Sequence, residues 1–61
     1  MIIETVTCDL KPGVIVQNND DTISLVFAVI CDEDVMIIHV FNAHGFRTYH
    51  SHKDCYWYVI R

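Results

Sequence analysis

The sequence predicts an all-β domain, a small five-stranded barrel or a strongly bent antiparallel sheet. Three observations carry this. Val, Ile and Thr supply 20 of the 61 residues while Ala and Leu supply two each, and β-branched side chains lose rotamer freedom in helices but pack well on a pleated surface. Turn-forming clusters cut the chain into segments of strand length. Within several segments apolar residues alternate with a period of two, the spacing that places them on one face of a sheet. One domain spanning residues 1–61 is all that this length allows.

The elements follow in order. Residues 2–8 read as a first, poorly alternating extended segment. Lys11-Pro12-Gly13-Val14 is a type II turn, with Pro setting φ at the second position and Gly accepting positive φ at the third. Residues 14–17 form a short strand, and Asn18-Asn19-Asp20-Asp21-Thr22 a polar loop whose side chains cap their own backbone. In residues 23–31, Ile23, Leu25, Phe27 and Val29 share one face and Val26, Ala28 and Ile30 the other. Both faces are apolar, so this strand is expected to be central or covered on each side. After the Asp32-Glu33-Asp34 turn, residues 35–42 place Met36, Ile38 and Val40 opposite Val35, Ile37, His39 and Phe41. His44-Gly45 is expected as the tip of the next hairpin, pairing Ala43 with Phe46. Residues 46–51, a bend at His52-Lys53-Asp54 and residues 56–60 complete the domain. On the last strand either Trp57 or the Tyr56 and Tyr58 pair should be interior, not both.

The Lys11-Pro12-Gly13-Val14-Ile15-Val16 opening, the polar loop, the three-strand meander, the short bend and the closing Trp57-Tyr58-Val59-Ile60 strand resemble an SH3-like barrel. They also resemble the small SH3-like β-barrel proteins encoded by tailed phages. The resemblance covers about residues 10–60 and makes residues 2–8 an extra N-terminal strand. It implies a binding or accessory role, such as docking onto a host or viral protein in the host cytoplasm, and no enzymatic activity.

The longest uninterrupted apolar run has seven residues, Leu25 to Cys31, against the ~20 that a membrane-spanning helix needs. No basic segment precedes an apolar core near Met1, so no signal peptide is expected. Three cysteines cannot pair completely within one chain. A cytoplasmic setting with reduced thiols, each a small buried or half-buried hydrophobe, follows. Residues 1–34 carry a net charge of −6 and residues 35–61 a net charge of +2. The acidic half favours a basic partner surface. Three basic side chains in the second half are thin for phosphate neutralisation, which argues against nucleic acid; weak stacking on single strands by Arg47, Lys53 and Tyr49 is the most that they offer.

Two constellations stand out. Phe41, Phe46, Tyr49, Tyr56, Trp57 and Tyr58 cluster late in the chain. Of the late residues, Tyr49, Tyr56, Trp57, Tyr58 and Arg47 are the expected binding surface, because aromatic and Arg side chains anchor interfaces. The alternative is a zinc site of His39, His50, His52 and Cys55. If Ala43 pairs with Phe46, His39 faces His50, and a period of two adds His52 to the same face. A three-residue loop would pair His39 with Tyr49 instead. Catalysis by Cys55 with His52 would need an orienting group and a pocket that so small an interior lacks, so no catalytic residue and no cofactor is expected. With both faces of two long strands apolar, a homo-oligomer, in the simplest case a dimer, is expected to cover one of them.

Overall fold

Six strands form in the computed structural model, which describes residues 1–61. They are β1 (Ile2–Val6), β2 (Ile15–Gln17), β3 (Ile23–Asp32), β4 (Val35–Asn42), β5 (Gly45–His52) and β6 (Tyr56–Ile60), with a single 3-10 turn at Thr7–Asp9 after β1. All pairings are antiparallel and the sheet order is β1-β6-β2-β3-β4-β5. The protein is therefore all-β, but as a six-stranded open sheet in place of a five-stranded closed barrel. The extra N-terminal strand is present. It pairs with β6 from Ile2 against Ile60 to Val6 against Tyr56, and it shifts the sheet's first edge outward by one strand.

Although β5 and β6 are separated in the sheet by three strands, their side chains meet. The rings of Tyr49 and Trp57 stand edge to face at 5.7 Å, so the sheet curls back towards itself. What joins the two strands is a relay of polar side chains. The Thr7 hydroxyl donates to the carbonyl of Cys55 at 2.8 Å, which leaves its oxygen to accept from Ser51 at 3.0 Å. The Ser51 oxygen in turn accepts the Trp57 indole N–H at 3.2 Å. Donors and acceptors run in one direction along this chain, an arrangement in which each bond polarises the next.

The concave side of the sheet holds the core: Leu10, Val16, Val26, Met36, Ile38, Val40 and Val59, with Val14, Val29 and Trp57 packed against it. The alternation Met36, Ile38, Val40 is buried as its spacing requires. In β3 the expected alternation fails. Val26 pairs with Val40 and Ala28 with His39, which leaves Phe27 as an extra, bulged residue. A bulge of one residue reverses the phase of everything after it. Val29 thus turns inward to join Val26, and Ala28 and Ile30 turn outward to join Leu25, correcting the two faces expected for residues 23–31.

The turns show similar local chemistry. Gly13 takes φ +100, and Val14 N–H bonds to the Lys11 carbonyl at 3.4 Å, as the type II turn requires. The β4–β5 hairpin differs from expectation. Asn42 pairs with Gly45, so the loop is Ala43-His44 and not His44-Gly45. Neither Ala43 nor His44 has positive φ, whereas Gly45 lies at φ +104. Asn42 accepts the His44 N–H on its side-chain oxygen at 2.8 Å. Asn at the first position and Gly at the fourth are the preferences of a type I turn, and they override the tip that His44-Gly45 suggests.

Candidate aromatic cleft

The first edge to the functional surface is β5. Its concave-side residues Arg47 and Tyr49 stay exposed, because β6 approaches β5 through the Thr7–Ser51–Trp57 relay and the Tyr49–Trp57 ring contact, and no backbone pairing draws the strands together. The resulting gap is an open cleft of about 520 Å³. Its lining includes all five residues expected as a binding surface: Arg47 and Tyr49 from the β5 side, and Tyr56, Trp57 and Tyr58 from the β6 side. Trp57 is the partly buried member, packed on the core. Tyr56 and Tyr58 alternate to the other side of β6 and remain 66% and 49% exposed, as expected for one interior set and one exterior set.

The rest of the cleft wall is polar and comes from the β2–β3 loop and the β4–β5 turn, with Asn18, Asn19, Asp20, Thr22, Asn42 and His44 in its lining. Much of this wall is held in place by its own hydrogen bonds. The buried Ser24 hydroxyl oxygen accepts from the amides of Asn18 at 2.8 Å and Asn42 at 3.1 Å. Asn18 also donates to Thr22 at 2.8 Å. Asp20 accepts the Thr22 hydroxyl at 2.6 Å and the Thr22 N–H at 3.3 Å. The Thr22 hydroxyl, then its N–H, hold the Asp20 carboxyl below its ordinary pKa. Asp21 completes the loop at φ +66, a left-handed conformation that Asp tolerates. No buried side-chain nitrogen or oxygen lacks a partner.

Residues 18–22 cap their own backbone at Asp20, whose side chain accepts the Thr22 N–H. The role of this loop as a cleft wall was not visible, because the contacts that aim it, from Asn18 and Asn42 to Ser24, cross to another strand. A smaller depression of about 320 Å³ adjoins the cleft between Ile2, Asp21 and Tyr58 and shares Gln17, Asn18 and Asn19 with it. Arg47 takes part in neither the Lys53–Asp34 ion pair at 3.2 Å nor the His52–Asp54 contact at 3.8 Å. Its guanidinium remains available in the cleft, whose lining also includes Asp20.

The histidines fall elsewhere. His39 pairs with Thr48, His50 with Ile37 and His52 with Val35, so the expected pairing of His39 with His50 does not form. The cause is the Asn42-to-Gly45 turn, which shifts the register. The three imidazoles still share the convex face, but His39 bonds to Thr48 at 3.0 Å and stacks on Phe27 at 6.0 Å. Cys55 lies beyond the end of β5, and no three His, Cys, Asp or Glu side chains converge in a way that could hold a metal ion. Cys8, Cys31 and Cys55 are all free thiols at the surface, where burial was expected. Short turn segments and strand ends carry them, and the seven-residue core is filled without them. Lys53 sits in the turn after β5 and does not line the cleft with Arg47 and Tyr49. No helix is long and apolar enough to cross a membrane. The chain matches no known protein family, no curated protein and no solved structure.

Proposed function

We propose that the protein is a non-enzymatic binding module whose cleft takes an extended, basic segment of a partner protein. The observation that carries this is that Arg47, Tyr49, Tyr56, Trp57 and Tyr58 all line one cleft together with a wall of hydrogen-bonded loop residues. Aromatic rings supply large contact area at low conformational cost, and a pre-ordered wall lowers the ordering cost of binding. Asp20 at the polar wall and Asp21 in the adjoining depression favour Lys or Arg side chains on the partner. The exposed phenol groups and the free guanidinium provide hydrogen bonds to a peptide backbone. A meander followed by a strand that returns beside its first member supports the SH3-like reading, and with it an accessory role of the tailed-phage kind, docking onto a host or viral protein in the host cytoplasm.

Selection from a random-peptide library tests this proposal, with Trp57, the single tryptophan, as the fluorescent reporter. Enriched peptides are expected to be rich in Lys or Arg, to perturb Trp57 emission, and to lose at least about tenfold in affinity to Tyr49→Ala. A library that enriches nothing, or peptides whose binding ignores Tyr49→Ala and Arg47→Ala alike, would overturn it.

A further inference from the structure

The convex face of the sheet carries a surface with no place in the cleft. Across the full width of the sheet the register aligns one apolar row: Ile2 opposite Ile60, Ile60 opposite Ile15, Ile15 opposite Leu25, Leu25 opposite Phe41 and Phe41 opposite Phe46. At the β3–β4–β5 end this row widens into a cluster. The ring of Phe46 lies 4.9 Å from that of Phe41 and 5.5 Å from that of Phe27. The Phe27 bulge matters here, because it is what turns Ala28 and Ile30 onto the same face as Leu25. Phe46 is 72% exposed, and Phe41 47%.

From these observations we infer that the convex face of β3, β4 and β5 is the interface of a symmetric homodimer in which two sheets pack face to face. The first argument is area. Leu25, Phe27, Ile30, Val35, Phe41 and Phe46 together leave roughly 600 Å² of side-chain surface in water, at the upper limit of the largest patches on monomers. The half-buried Ala28, Ile37 and His39 between them bring the face towards the ~800 Å² that each partner contributes to a standard stable interface.

The second argument is charge. The convex positions of β4 and β5, and those of β3 from Leu25 to Ile30, include no Asp, Glu, Lys or Arg. The acidic residues that make the chain negative lie in the turns and in β1 and at the end of β3. Two copies therefore meet across a centre without opposing like charges, with Asp32 beside Val35 at its rim, although each has a net charge of −4. A surface of neutral apolar groups is also complementary to itself, which a two-fold interface requires. The third argument is the core. Seven buried apolar residues are few for an independent domain, and association of apolar faces is a common way for so short a chain to gain burial. Sheets packed in this manner lie about 10 Å apart with their inward-facing side chains interdigitated.

The dimer face on β3, β4 and β5 and the cleft share no residue, so they can be tested apart. Light scattering across a concentration series is expected to give the mass of two chains, falling to one on dilution. Phe46→Lys, and separately Leu25→Lys, each place a charge in the apolar interface and are expected to weaken association by at least about a hundredfold. Far-UV circular dichroism and Trp57 emission should stay unchanged, because both side chains are exposed in the single chain. A measurement on the unaltered protein does not depend on those variants folding. A soluble paramagnetic agent should be excluded from Phe41 and Phe46 resonances at high concentration, while Tyr56 stays accessible. A chain that remains monomeric to about 1 mM, a dimer that survives both lysine substitutions, or a dimer whose Phe41 and Phe46 stay accessible would each overturn the inference. Peptide binding at the cleft by a monomeric Phe46→Lys protein would leave the cleft proposal standing, and its loss in a normal dimer would do the reverse.

Discussion

The two faces of this one sheet are finished by different means. The concave face is completed within the chain: apolar side chains meet across it, and its polar groups are paired through Ser24, Thr7 and Ser51. The convex face has a comparable apolar character and almost no internal partner, apart from its own phenylalanine cluster. Alternating strands always generate two such faces, and folding needs only one of them. An apolar second face is thus a statement about association and not about the fold of the monomer.

The contrast is sharpest under truncation. Ile38→Ala opens a cavity at the centre of the concave core and is expected to cost about 2–5 kcal/mol, enough to unfold much of so small a domain; urea denaturation followed by circular dichroism measures it. Phe46→Ala removes a larger side chain from the convex face, yet it should change the stability of the dilute monomer by under about 1 kcal/mol. Equal losses from the two substitutions would erase the distinction between the faces.

The polar relay gives the next largest effect. Thr7→Val keeps the shape and the Thr7 N–H bond to the Cys55 carbonyl, but it leaves the Ser51 hydroxyl proton without its acceptor and removes the second donor to that carbonyl, at a cost of about 1–3 kcal/mol, whereas Thr7→Ser should recover most of it. Proton exchange at the Trp57 indole N–H should also accelerate in Thr7→Val, since the acceptor Ser51 is no longer oriented. An unchanged exchange rate would show that the relay does not hold β5 against β6.

Backbone strain at the turns comes third. Glu33 takes φ +55 between β3 and β4, and Glu33→Gly should stabilise the protein by about 1 kcal/mol in thermal unfolding. Gly45→Ala should do the opposite by a similar amount. No atom lies within 4 Å of the added methyl, so this cost arises from φ +104 alone.

The smallest effect concerns acid. Because the folded pKa of Asp20 is lowered, the stability it adds is complete above the unfolded carboxylate's value and disappears as pH falls through the folded one. Asp20→Asn should remove that acid-side slope. The Thr22 amide resonance, followed by NMR during acid titration, should move with Asp20 in the native protein and stop moving in the variant.

Much of the fold was readable from local patterns. Met36, Ile38 and Val40 alternate in β4 and are buried as spaced, Gly13 turns where Pro12 sets it up, and β6 begins and ends at Tyr56–Ile60 as its turn residues suggest. The departures from local pattern share a cause. In β3 a single bulged residue, Phe27, inverts the faces downstream, and nothing in its immediate sequence distinguishes an inserted residue from a regular one. At the β4–β5 turn two readings of Asn42-Ala43-His44-Gly45 compete, and the type I geometry decides the partner of every histidine. The candidate cleft was half legible. Its aromatic lining could be named from composition, whereas its polar wall depends on Asn18 and Asn42 meeting at Ser24, residues separated by up to 24 positions.

By itself the sequence determined the class of the protein: β-branched residues and frequent turns leave strands as the low-cost conformation, and 61 residues leave room for one sheet. Only the tertiary structure decided that the sheet stays open with six strands, that β5 and β6 are joined by side chains, and that a cleft lies between them. It also decided which apolar residues face water. Backbone preference acts between neighbours in the chain, whereas closure, register and the identity of the exposed face depend on contacts between distant residues. Those contacts are set when the strands pair.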